Sequence, residues 1–252
     1  MRTRLLHLIS AMIAGAAATT AQAADGPAPI TSVVELYTSQ GCSSCPPADK
    51  LLQSYIKRDG VLALSFNVDI WDNLGWKDTL ASSKYTQRQR AYARTRGDGQ
   101  VYTPQAIING TAHAVGSDRA EIDGAIRSTT SAISSLHVAL GVTADGSGLA
   151  IAAPAQTAAR AGAVDATLWL VKFSPRVEVV VQRGENSGHT LAYHNVVRDF
   201  TAVGRWTGDA ATTKVPQSAL TGCTPGTCAI LLQKSGTGAI LGAVWVPGVS
   251  GI

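Results

Sequence analysis

Cys42-Ser43-Ser44-Cys45 places two thiols three residues apart, and the flanking residues decide what those thiols can do. Upstream, Val33-Val34-Glu35-Leu36-Tyr37 is an apolar run of strand character. Downstream, Pro46-Pro47 opens a stretch to Lys57 in which Leu51, Leu52, Tyr55 and Ile56 recur at helical spacing. Strand, sharp turn and helix together set both sulfurs at a helix N-terminus, where unpaired backbone N–H groups and the positive end of the helix dipole favour a thiolate over a thiol. That is the chemistry of a dithiol/disulfide couple. A purely structural disulfide is the alternative, weakened because so short a loop constrains the unfolded chain little. Paired thiolates also suit a soft ion such as Cu(I). With two methionines in the chain and no histidine nearby to complete a site, no metal ligand set is assigned.

The other two cysteines, Cys223 and Cys228, flank Thr224-Pro225-Gly226-Thr227. Pro-Gly makes a tight turn and no helix follows to stabilise a thiolate, so this pair reads as a structural disulfide closing a loop. His189 and His194 fall on opposite faces of a regular strand and make no metal site alone. No nucleotide-binding loop, zinc-protease motif or Gly-x-Ser-x-Gly elbow is present, and no cofactor is expected.

Residues 1–23 have the form of an export signal: Arg2 and Arg4, an apolar segment from Leu5 to Ala18, then Ala21-Gln22-Ala23 as a small-x-small cleavage site. The segment is too short and alanine-rich for a convincing span, so no stable membrane insertion is expected after cleavage. The expected location is periplasmic or secreted, where disulfides persist. Of the 21 basic residues two lie in that segment, leaving 19 against 17 acidic ones, a balance that gives no nucleic-acid signature.

The elements that must position the thiols follow in order. Ile30 to Tyr37 reads as a buried strand, the helix after Cys45 runs to about Arg58, and Val61 to Val68 is a second strand, implying a right-handed parallel crossover. A polar and aromatic stretch, Asp69 to Asp78, leads to a helix over 82–96 whose Lys84, Arg88, Arg90, Arg94 and Arg96 read as a solvated basic face. Val101 to Gly110 forms a short strand ending in an Asn-Gly turn, with 113–116 as its hairpin partner. Ser117 or Asp118 caps a last helix through Ile126, with Glu121 placed to complete a capping box from Asp118. Beyond residue 132 the texture changes to short β-rich runs at 137–142, 149–153, 165–173, 176–182, 190–197, 229–232 and 240–246, without helical periodicity. The expectation is an α/β domain with a mixed sheet over 28–132, followed by a smaller all-β, sandwich-like domain over 133–252.

The order strand, Cys-x-x-Cys, helix, strand, helix, Thr103-Pro104, Asn-Gly hairpin and helix resembles a thioredoxin-fold domain. More closely, Glu35 through Asp49, Trp71-Asp72 with Leu74-Gly75-Trp76-Lys77-Asp78, and Tyr102-Thr103-Pro104-Gln105 resemble a family of exported bacterial proteins with a thioredoxin-like N-terminal domain and no settled activity. The likeness extends through Gly184-Glu185-Asn186 and Asn195-Val196-Val197-Arg198. It implies that Cys42 is the nucleophile and Cys45 the resolver, in keeping with the leading cysteine of such a motif being the more accessible. It implies a cis bond at Pro104, which would keep metals from the thiols and leave the Thr103 backbone free to pair with an extended peptide; the bare dipeptide also allows an ordinary trans proline. Glu35 falls where many thioredoxins hold a buried acid, and either relays the proton of Cys45 or is paired at the strand edge. Trp71 and Trp76 either rim a substrate site at the carboxyl end of the second strand or plug an irregular loop.

Three functions follow. The leading one is an exported thiol-disulfide oxidoreductase acting on cysteine-containing envelope proteins or a redox partner. The others are a periplasmic copper-handling protein and a catalytically silent binding module.

Overall fold

The computed structural model describes residues 28–156 and 164–248; the expected export segment lies outside the described residues. An eight-stranded mixed sheet is its frame, with strand order β11-β10-β7-β8-β2-β1-β3-β4. At its heart, β1 (Ser32–Thr38) and β2 (Val61–Asn67) pair in parallel, joined by α1 (Pro46–Ile56). Every residue of both strands is buried, which explains why apolar residues predominate on both of their faces. Val34 and Leu36 face α1 and α3 (Arg119–Ile133), together with Leu52, Tyr55, Ile122 and Ile126. Val33 and Tyr37 face the opposite side, where Leu64, Phe66 and Tyr92 of α2 (Ser83–Arg96) pack.

Beyond β1, β3 (Gln105–Ile108) pairs antiparallel, and the Asn109-Gly110 turn, both residues at positive φ, leads into β4 (Ala112–Val115) as the sequence predicts. Asp118 caps α3 by accepting from the Glu121 N–H at 2.9 Å. The capping box stays half-made, because the Asp118 N–H is taken by the Val115 carbonyl and the Glu121 carboxylate turns to the Val115 N–H. The helix also runs seven residues past its expected end at Ile126.

The second half of the chain is β-structure, and most of it extends the same sheet. β7 (Ala166–Val180) and β8 (Thr190–Trp206) form a long hairpin, with β10 (Cys228–Lys234) and β11 (Ile240–Trp245) beyond β7. The two runs expected at 165–173 and 176–182 are thus a single strand. β8 continues to Trp206, past the expected end at Val197; Phe200 and its neighbours are only half-covered and show no clean alternation that would mark a strand. The hairpin meets β2 in parallel at Ser65 and Val196, and Asn195, at positive φ, donates its side-chain amide to the Ala63 carbonyl at 3.0 Å. The Asn195-Val196-Val197 motif is therefore where the two halves of the sheet join.

A separate three-stranded sheet, β5 (Gly141–Asp145), β6 (Gly148–Ala153) and β9 (Ala211–Pro216), packs over β7, β10 and β11. Leu149, Ile151 and Val215 meet Leu168, Ile230 and Leu232 in that second core, which also holds Cys223 and Cys228. Those two cysteines are joined in a buried disulfide.

Candidate functional site

β1 ends at Thr38, and Ser39-Gln40-Gly41 carries the chain over its edge. The Cys42 N–H donates to the Ser39 carbonyl at 3.2 Å, and the Cys45 N–H returns to the Cys42 carbonyl at 3.2 Å. Gly41 is required by close approach: a Cβ there would lie 3.0 Å from the Trp71 Cβ. Cys45 caps α1 without a side-chain hydrogen bond, and Pro46 and Pro47 fill the first turn, where their missing N–H groups cost nothing. Ala48 and Asp49 supply the first N–H groups, both donating to the Cys45 carbonyl.

Cys42 and Cys45 are joined in a disulfide with Cα atoms 5.4 Å apart. Cys42 is 5% exposed and Cys45 fully buried, so the leading sulfur is the one an incoming group meets. Cys42 lies on the wall of a cavity of about 500 Å³ that Ser43, Trp71, Leu74, Tyr102 and Thr103 also line. Trp71 Nε1 donates to Thr103 Oγ1 at 2.7 Å, tying two sides of the cavity together. The Thr103-Pro104 bond is cis. The Tyr102 hydroxyl and His113 Nδ1 share a hydrogen bond of 2.9 Å, and His113 Nε2 lies 3.3 Å from Asp98.

Of the residues singled out in the sequence, Cys42, Trp71 and Thr103 share the cavity, with Cys45 behind Cys42 and Pro104 next along the chain. Trp76 stands away from it. Its Nε1 donates to Gln40 Oε1 at 2.8 Å, and its ring packs beside Val181, Leu191 and Tyr193.

Glu35 is not a free acid. Val33, Glu35 and Tyr37 point to the α2 side of the sheet, away from α1, and Glu35 meets Arg88 there in a two-pronged ion pair of 3.1 and 2.7 Å. The Tyr37 and Tyr92 hydroxyls also donate to it. Burial alone would lower the Arg88 pKa, but the Glu35 charge outweighs it and holds the guanidinium charged. Arg88 is thus no part of a solvated basic face: it is 8% exposed, with Cζ 4.1 Å from the Phe200 ring centroid.

The sequence assigned no site role to three residues that the fold brings to the dithiol. Asn186, in the β7–β8 loop, donates to the carbonyls of Gln40 and Cys42 at 2.9 and 3.0 Å. Its neighbour Glu185 accepts from the Ser43 N–H at 3.2 Å and lines the Cys42 cavity. Gly184, at positive φ, lets this loop settle against Trp76. The third is Asp49, one helical turn after Cys45 and 5% exposed. Burial raises its pKa to about 8, the Thr38 hydroxyl opposing and Asp78 adding to the rise. Neither Asp49 Oδ1 nor Thr38 Oγ1 completes a hydrogen bond. Asp78, raised in the same way, differs in accepting from the Gln40, Leu80 and Asn67 N–H groups.

Among the described residues no cluster of three or more His, Cys, Asp or Glu side chains has the arrangement of a metal site, and no helix is long and apolar enough to cross a membrane. Residues 33–233, which include both cysteine pairs and the Glu185-Asn186 loop, match the family described as protein of unknown function DUF1223. The chain belongs to DUF1223. This DUF1223 chain is similar to the crystal structure of protein AGR_C_4864 from Agrobacterium tumefaciens, at 36% identity and a TM-score of 0.72, over 89% of this chain and 97% of that one. HBP35 of Porphyromonas gingivalis is similar in fold, at 13% identity and a TM-score of 0.56, over 90% of this chain and 79% of that one. No curated protein matches.

Proposed function

We propose that this DUF1223 protein is an exported thiol-disulfide oxidoreductase that exchanges electrons with cysteines of other proteins through Cys42 and Cys45. The observation that carries the reading is the Cys42–Cys45 disulfide at the start of α1, with Cys42 on the wall of a 500 Å³ cavity and Cys45 behind it. A substrate thiolate attacks Cys42 Sγ, the bond to Cys45 breaks, and the electron pair leaves on the Cys45 sulfur. A second substrate thiolate then attacks the substrate sulfur of the mixed disulfide and releases Cys42. In the opposite direction the reduced Cys42 attacks a substrate disulfide and Cys45 resolves the adduct.

The order β1-α1-β2-α2-β3-β4-α3, with β1 and β2 parallel and β3 antiparallel, supports a thioredoxin-like reading of residues 28–132. In that reading Thr103 and Trp71 contact the substrate segment and residues 133–252 complete the site with Glu185 and Asn186. Two disulfides in one chain support a location in an oxidising compartment, reached through the signal at residues 1–23.

The test is trapping. A Cys45→Ala variant is expected to accumulate mixed disulfides through Cys42, and the wild type to exchange disulfides with a dithiol peptide. Neither adducts nor exchange would leave the reading without support.

A further inference from the structure

A fully buried leaving sulfur raises the question of its proton. Cys45 has no exposed surface, and a thiolate expelled into such a site needs a donor at hand. Glu35 cannot serve, being engaged by Arg88, Tyr37 and Tyr92 on the far side of the sheet. Asp78 is fixed by three N–H donors. Asp49 remains. Its N–H bonds the Cys45 carbonyl at 3.1 Å, and residues four apart on a helix stand on one face with Cβ atoms about 5–6 Å apart. Its Oδ1 is buried and without a partner, an unusual condition for a carboxyl. The residue also borders a second cavity of about 330 Å³, separate from the one at Cys42 and lined by Lys50, Gln53, Arg176 and His194.

Resting on the oxidoreductase reading, we propose that Asp49 is the proton relay of Cys45, exchanging its proton with solvent through the cavity beside Lys50 and His194. When a substrate thiolate attacks Cys42 and the disulfide opens, the neutral Asp49 carboxyl gives its proton to the Cys45 sulfur and becomes a carboxylate. Solvent protonates it again. In the reverse direction the carboxylate takes the proton from Cys45 so that the sulfur can attack the mixed disulfide at Cys42. Over a full oxidation the substrate dithiol loses two electrons and two protons. The disulfide receives both electrons, Cys45 holds one proton and the other enters solvent or protonates Cys42.

The groups facing Asp49 are consistent with a carboxyl that is neutral at rest. Asp78 adds negative charge, and Tyr193, its own phenol raised by burial and by these two acids, supplies no cation. Lys50 and Arg176 border the cavity, where their charges would draw the carboxylate form outward. His194, lowered by burial and by Arg176 and Lys57, adds little positive charge at neutral pH.

The experiment compares wild type and Asp49→Asn in single-turnover reduction by a dithiol peptide across pH, beside an infrared titration of the oxidised wild type. The expected results are a rate at least about tenfold lower in Asp49→Asn, loss of the wild-type inflection near the Asp49 titration, and a protonated-carboxyl band at neutral pH that is absent from the variant. Equal rates and pH profiles overturn the relay and leave the oxidoreductase standing. Failure of the wild type to exchange overturns both. Should Asp49→Asn not fold, the wild-type titration decides alone: no protonated carboxyl at pH 7 overturns the relay.

Discussion

Asn186 donates to the Cys42 carbonyl at 3.0 Å across 144 positions of sequence, and the same amide holds the Gln40 carbonyl at 2.9 Å. The turn that presents the Cys42 sulfur is thus built in the first half of the chain and fastened by the second. Asn186→Ala leaves two buried carbonyls without this donor, and a loss of roughly 1–3 kcal/mol is expected. Urea unfolding measures it. An unchanged midpoint would mean that the loop does not brace the turn.

Glu185 brings a carboxylate to the Ser43 N–H, one of the groups that would otherwise favour a Cys42 thiolate. Removing its charge in Glu185→Gln is expected to lower the Cys42 pKa in the reduced protein by up to roughly one unit. Alkylation rate against pH reads the shift. The same variant is expected to lose any preference for peptides carrying a basic residue beside the cysteine, since among the described residues Glu185 is the one charged side chain lining that cavity.

Glu35 and Arg88 test a different link, that between packing and stability. Truncating one member of a buried pair strands the other, so Arg88→Met is expected to cost about 3–5 kcal/mol. The double variant Glu35→Gln with Arg88→Met is expected to recover much of that loss, measured by denaturant unfolding as a double-mutant cycle. Disulfide exchange by the double variant should persist, because the pair lies across the sheet from α1.

Asp49 gives stability a pH dependence of definite sign. Its folded pKa of about 8 lies above the ordinary 3.8, so between those values the folded protein holds a proton that the unfolded chain has lost. The contribution of this group is therefore fully present below about pH 4, is lost as pH rises toward 8, and then levels, by an amount on the order of several kcal/mol. Asp78 contributes in the same sense. Unfolding free energies of wild type and Asp49→Asn across pH 4–9 check it: the variant's curve should be markedly flatter.

Local pattern carried much of the fold. The apolar runs of β1 and β2, the proline start of α1, the Asn-Gly turn and the Asp118 cap all depend on neighbours in sequence, and each was legible. Arg88 was not, because its burial depends on a carboxylate 53 residues away, and the inward face of α2 carries Thr86, Arg88 and Gln89 where an apolar stripe would announce a core helix. β9 was missed since nearly all of its residues lie toward solvent. Asp49, Glu185 and Asn186 lie within motifs visible in the sequence, but the burial of Asp49 and the long hairpin that brings Glu185 and Asn186 to the Cys42 turn depend on contacts far along the chain.

The join at Ser65 and Val196 has a bearing on how this molecule can be handled. A fragment ending at residue 132 would lose the strand that meets β2 at Ser65 and would uncover Leu62, Leu64 and Phe66, which share one core with Val171, Phe173, Val197 and Leu231. Such an uncovered edge and apolar face recruit other chains. Truncation at that point is expected to yield aggregates rather than a miniature redox protein, and the two halves can be altered independently only where neither touches that shared border.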